Sequence, residues 1–104
     1  MTGRYYLGYV KRLPCAACVI LGYVSPESHS TAVSDAHHPR TGVGAARKAP
    51  DADAIPLCPA HHRSSNDALH VMGRKAWERW LGTTELELSR QTKLRVQQMI
   101  AMEV

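Results

Sequence analysis

Two knuckles of the same spacing constrain this chain more than anything else in it: Cys15-x-x-Cys18 near the start and Cys58-x-x-His61 past the middle. Each pair can bring two ligands to one ion, and together they supply three thiolates and one imidazole, a closed tetrahedral set suited to Zn²⁺. Such a structural zinc would clamp an N-terminal segment onto a central one across the 39 residues between Cys18 and Cys58. Its binding energy would then be folding energy. A chain of 104 residues buries a limited share of its surface, so a metal staple supplements a small core. The competing reading, three small buried hydrophobes, is weakened by the second knuckle of matching spacing. A redox role for Cys15 and Cys18 lacks the surrounding βαβ pattern.

Three cysteines cannot all pair within one chain, which favours a reducing compartment and a cytoplasmic protein. The longest apolar run, residues 15–24, is too short for a membrane span and carries no convincing cleavage site, so no membrane partner is expected. The formal charge of +4 and a pI near 9.2 favour an anionic partner such as nucleic acid, although ordinary soluble proteins also carry such an excess. Residues 1–104 are expected to form one domain.

Local patterns give a coarse order of elements. Residues 4–13 fit either a strand or one helical face. After Pro14 the first knuckle reads as a tight turn, with residues 19–24 as a short strand kinked at Gly22. Residues 31–34 read as another strand, which places His37 and His38 at a strand end. A loop over 39–53 holds Gly42, Gly44, Pro50 and the cations Arg40, Arg47 and Lys48. These cations read either as a solvated face or as phosphate contacts that carry no sequence information. Residues 54–57 make a short apolar run whose Pro56 suits an edge strand or turn. Ser64, Ser65, Asn66 and Asp67 offer N-caps for a helix over about 68–81, with Leu69, Met72, Ala76 and Trp80 on one face and Gly82 as its stop. Trp77 and Trp80 read as packing residues. Thr84-x-x-Glu87 is a capping-box signature for a last helix to about Met102, packed through Val96, Met99 and Ile100.

Five of the six histidines lie between Asp35 and His70. Once His61 is given to zinc, His62 is left for another task together with His37, His38 and His70; His29 has no assigned role. The order Cys-x-x-Cys, strand, Asp35-Ala36-His37-His38, loop, then Asp53-Ala54-Ile55-Pro56-Leu57-Cys58-Pro59-Ala60-His61-His62 resembles the HNH endonucleases of the His-Me finger superfamily. It is similar above all to their zinc-knuckle-bearing phage and prophage members. With the recombination-enhancement, RecA-dependent nucleases it shares the pattern HH…K…PLC..HH…LH, and residues 15–82 carry the likeness.

This resemblance implies an α+β fold: a small zinc-stapled ββα-metal domain over 15–82, an N-terminal element over 1–14 and a C-terminal helix over 83–104. It implies a metal-dependent DNA endonuclease leaving 5′ phosphate and 3′ hydroxyl ends. His38 falls on the general base, while His37, His62 and His70 fall on ligands of a catalytic divalent ion. Asp53 falls on the central Asn that orients the base, and Asp in that place departs from the family. Mg²⁺ suits phosphate chemistry, whereas an all-imidazole set favours Zn²⁺, Mn²⁺ or Ni²⁺. The RecA-dependent members carry a long basic N-terminal arm, and only fourteen residues precede Cys15, so a recombinase filament is the less expected partner. A monomer, or a weak homodimer through the last helix, is expected.

The chemistry is consistent with these roles, because phosphodiester hydrolysis needs a base for water and a cation for the developing charge. Adjacent residues at a strand end point to opposite sides, so His37 and His38 can serve different partners. One geometric condition is strict. An unbroken helix would hold His62 and His70 roughly 12 Å apart, too far for one ion. The helix must therefore break between them, at 64–67. Two other classes compete: a non-catalytic zinc module that binds DNA or protein, with the histidines as a second structural site, and a structural adaptor in phage assembly.

Overall fold

Tyr6, Val10 and Leu13 recur three and four residues apart, and burial on that spacing decides the N-terminal segment in favour of helix. In the computed structural model, which describes residues 3–27, 34–43 and 49–103, helix α1 spans Gly3–Arg12. Val10 and Leu13 pack with Ala54 and with Val96 of the last helix, and Tyr6, Met99 and Ile100 border this cluster. The other elements are α2 (Ala16–Ile20), β1 (Asp35–His37), a 3₁₀ turn (Asp51–Asp53), β2 (Ile55–Leu57), a π turn (Ala60–Ser64), α3 (Leu69–Met72), α4 (Arg74–Leu81) and α5 (Glu85–Met102). The described residues thus form a small mixed helix and two-strand arrangement, of α+β type.

The sheet is one antiparallel pair, with Asp35 opposite Leu57, Ala36 opposite Pro56 and His37 opposite Ile55. Three-residue strands are not stable alone. Burial on β2 compensates: Ile55, Pro56 and Leu57 are all buried. Ile55 and Leu57 join Cys15, Ala17, Leu69, Trp77, Leu81 and Leu88 in the larger core cluster. Trp77 is fully buried, and its Nε1–H donates to the Asp67 carbonyl at 3.1 Å.

Two expected elements are corrected. Residues 19–24 are not a strand, despite the β-branched Val19 and Ile20. The chain turns into α2 directly at Cys15, with the Val19 N–H on the Cys15 carbonyl at 3.0 Å. Gly22, at φ 80°, ends it in a left-handed cap: the Gly22 N–H meets the Val19 carbonyl at 3.1 Å and the Tyr23 N–H meets the Cys18 carbonyl at 2.8 Å. The helix expected over 68–81 is two helices, because Gly73 at φ 86° closes α3 and opens α4. Ser34 precedes β1 rather than belonging to a strand, and residues 31–33 lie outside the described residues. Gly82 does stop α4, and Thr84 caps α5 by accepting the Glu87 N–H at 3.1 Å, while the Glu87 carboxylate turns to Arg90 and Gln91. Among the described residues, no helix is long and apolar enough to cross a membrane.

Candidate metal centres

The two knuckles meet. Cys15 and Cys18 sit at the start of α2, Cys58 follows β2, and His61 projects from the π turn. His61 Nδ1 lies 3.8 Å from Cys15 Sγ, 3.4 Å from Cys18 Sγ and 3.3 Å from Cys58 Sγ, and the Cys18 and Cys58 sulfurs are 4.0 Å apart. Ligands arranged tetrahedrally about zinc would be about 3.8 Å apart for two sulfurs and about 3.5 Å for sulfur and nitrogen. Cys15, Cys18, Cys58 and His61 therefore form a cluster suited to a metal ion such as zinc, as their spacing predicts. Burial first, then the neighbouring thiols, push the Cys18 thiol far above its usual range, and burial raises Cys15 as well. A cation is what would make these sulfurs thiolates together, so binding would release protons. On its outer side, His61 Nε2 faces the Asp67 carboxylate at 3.6 Å, and Tyr23 and Trp80 flank the ring.

A second cluster lies beside the first, and the π turn serves both. A π turn carries one more residue than an α-helical turn; here the Ser65 N–H reaches the Ala60 carbonyl at 3.1 Å. His61 then faces the sulfurs and His62 faces away from them, toward His37 and His70. Ser65 is extended after the turn and α3 begins only at Leu69. The break required between His62 and His70 is present, and their Nε2 atoms lie 3.0 Å apart. His37, His62 and His70 each offer a ligand atom, all within 4.8 Å of one another. A nitrogen–nitrogen separation of about 3.0 Å suits ligands at right angles on one ion, so the His62–His70 pair has ligand spacing, and with His37 the three imidazoles are a group that could hold a metal ion.

Carboxylates hold two of these imidazoles from behind. His62 Nδ1 meets Asp35 Oδ2 at 3.0 Å, and the same oxygen accepts from Arg63 Nε at 3.0 Å. The His62 hydrogen bond is the main reason that the Asp35 carboxyl lies below its ordinary range. His37, only 2% exposed, places Nε2 2.5 Å from Glu85 Oε2. Burial of Glu85 would raise its carboxyl, yet hydrogen bonds from His37, Thr41 and the Arg40 N–H outweigh it and hold the group at about 2. Burial, followed by the neighbouring His62 and His37, lowers His70 and so favours its neutral imidazole.

His38 looks elsewhere, as alternation predicts. Its Nε2 lies 2.8 Å from Asp51 Oδ1, and it lines an open cleft with Leu7, Lys11, Ser34, Asp35 and Ala36. Asp53, expected to orient His38, is corrected by this geometry: its Oδ1 receives Lys93 Nζ at 2.8 Å, and the carboxylate on His38 belongs to Asp51, at the other end of the same 3₁₀ turn. Arg40 is exposed in the turn after β1, whereas Arg47, Lys48 and His29 lie outside the described residues.

Three carboxylates were thus missing from the expected site. Asp35 had a signal, since Asp35 and His37 share one face of a strand by the two-residue period. Asp51 stood two residues from Asp53 with nothing to separate the pair. Glu85, next to the Thr84 cap, reads in sequence as an ordinary first-turn acid.

A scan against models of known protein families finds no match to this chain, and comparisons with curated proteins and with solved structures also find none.

Proposed function

We propose that the chain is a metal-dependent DNA endonuclease of the HNH, His-Me finger type, with β1, β2 and the segment 60–72 as its ββα-metal core. The observation that carries this reading is the convergence of three imidazoles, His37, His62 and His70, two of them backed by carboxylates, next to a fourth, His38, just past the end of one strand. The +4 charge and the placement of Lys11 in the His38 cleft favour a phosphate-bearing substrate.

His38 is the base in this mechanism. An ionised Asp51 can only accept a hydrogen bond, so His38 Nε2 carries the proton and Nδ1 keeps a lone pair for the proton of an attacking water. Asp51 then stabilises the imidazolium, the supporting role that the resemblance gave to Asp53. His37, His62 and His70 would hold a divalent cation, which would supply charge stabilisation for phosphodiester hydrolysis. Lys11 and Arg40, with Arg47 and Lys48 beyond them in sequence, hold backbone phosphates.

Supercoiled plasmid incubated with zinc-reconstituted protein and Mg²⁺, Mn²⁺, Ni²⁺ or further Zn²⁺ tests this. Nicking is expected with at least one ion, and His38→Ala should lower its rate by about 10² or more. Wild-type rates in His38→Ala would remove the base assignment. Absence of nicking with every ion would favour a non-catalytic zinc module, with the histidines as a second structural site.

A further inference from the structure

Glu85 is fully buried, although an acid in the first turn of a helix can complement the dipole while remaining in water. Its two oxygens divide their work. Oε1 accepts from the Arg40 N–H at 3.0 Å, the Thr41 N–H at 3.1 Å and the Thr41 hydroxyl at 2.7 Å. Oε2 meets only His37 among these groups, at 2.5 Å. A buried carboxylate without partners would be prohibitive, and this set of donors is what lets the charge stay there.

We propose that Glu85 is a positioning residue for the imidazole centre: it selects the nitrogen that His37 turns to a cation and ties the turn at residues 40–41 to the same carboxylate. The inference rests on reading His37, His62 and His70 as a cation site. A carboxylate accepts and never donates, so His37 Nε2 must hold the ring proton, and Nδ1 is left with the lone pair. His62 follows the same rule with the nitrogens exchanged. Its Nδ1 faces Asp35, and the opposite nitrogen, Nε2, is the one 3.0 Å from His70. At 2% exposure His37 has little access to water that could replace Glu85, so its tautomer depends on this one side chain.

Glu85→Gln separates position from chemistry. With three donors holding the amide oxygen, the amide NH₂ would face His37 Nε2, move the ring proton to Nδ1 and block the ligand nitrogen. Co²⁺ titration of protein carrying one Zn²⁺ is the probe, read by visible absorption and calorimetry, with ¹⁵N NMR of the histidine rings before Co²⁺ is added. Glu85→Gln is expected to retain its zinc, to shift His37 from the Nε2–H to the Nδ1–H form and to bind Co²⁺ about 10–100-fold more weakly. In a His37→Ala background the same change should cost nothing further. Wild-type Co²⁺ affinity in Glu85→Gln, or losses that simply add in the double variant, would overturn the inference. If Glu85→Gln fails to fold, Thr41→Val, which removes one donor to Oε1, should weaken Co²⁺ a fewfold, and no change there overturns it. Co²⁺ binding that depends on Glu85 without plasmid nicking would defeat only the nuclease reading, whereas no second-site Co²⁺ in the wild type would defeat the cation site and this inference together.

Discussion

His61 and His62 are consecutive, yet they belong to centres of opposite construction. The thiol centre takes its ligands in two close pairs, so most of its geometry is local to a knuckle. The imidazole cluster takes one histidine each from β1, the π turn and α3, and two of them meet carboxylates from distant positions; Glu85 lies 48 residues from His37 and Asp35 lies 27 from His62. The first can organise the fold around itself, whereas the second requires a fold already made. Exposure does not follow that division: the thiol centre runs from buried Cys15 and His61 to half-buried Cys18 and Cys58, and the imidazole centre from buried His37 to exposed His70.

The comparison breaks most visibly at Cys58. Cys58→Ser should remove one zinc per chain and abolish the cooperative melt, because zinc binding of about 10–16 kcal/mol is as large as the whole ~5–15 kcal/mol stability of a small domain. Metal analysis and circular dichroism read both quantities, and an unchanged melt would strip the thiol centre of its folding role. The neighbouring histidines should then part company. His61→Ala is expected to resemble Cys58→Ser. His62→Ala should keep its zinc and its melt but lower plasmid nicking by roughly 10²–10³. Similar behaviour of the two variants would mean that the centres are not separate in function.

That division also explains what was legible in the sequence. The thiol centre could be read because a two-residue knuckle is a local code, whereas the histidine set came from the family resemblance, and helix geometry added only the condition of a break between His62 and His70. Glu85 could not be read, because a buried acid and a solvated capping acid have the same letters, and only the packing of α5 against the turn at 40–41 distinguishes them. The strand expected over 19–24 failed for a related reason. The β propensity of Val19 and Ile20 is weaker than the demand that Cys15 and Cys18 converge, and the chain meets that demand by turning into α2. Gly73 was passed over in a periodic apolar pattern, yet its positive φ divides the helix.

Asp51 and Asp53 sharpen the contrast between a residue that acts through an imidazole and one that merely decorates the surface. Asp51→Asn can present an amide N–H to His38 Nε2 and so disfavour the lone pair on Nδ1; nicking should fall by about 10²-fold with little change in the melt. Asp53→Asn removes a half-exposed pair with Lys93, an interaction worth well under about 1 kcal/mol, and should leave cleavage unchanged. Single-turnover cleavage at saturating metal measures both. Equal losses would return Asp53 to the role that the family resemblance gave it.

Trp77 is where the two centres share a support, and it carries the most discriminating effect. Its ring packs in the cluster that contains Cys15, while its Nε1–H holds the carbonyl of Asp67, inside the break that separates His62 from His70. Trp77→Phe keeps much of the packing and deletes that donor, so a carbonyl in the break loses its partner at a cost of about 1–3 kcal/mol. A melt lowered by several degrees is expected. The thiol centre should scarcely notice, since four ligands on two knuckles close on zinc whatever the break does. The imidazole centre should notice, because His70 reaches His62 only through the conformation of residues 65–68. Co²⁺ affinity there is therefore expected to fall a fewfold while zinc stoichiometry stays at one. The reverse pattern, zinc lost and Co²⁺ retained, would mean that His70 is placed by α3 itself and that Trp77 serves the thiol centre alone.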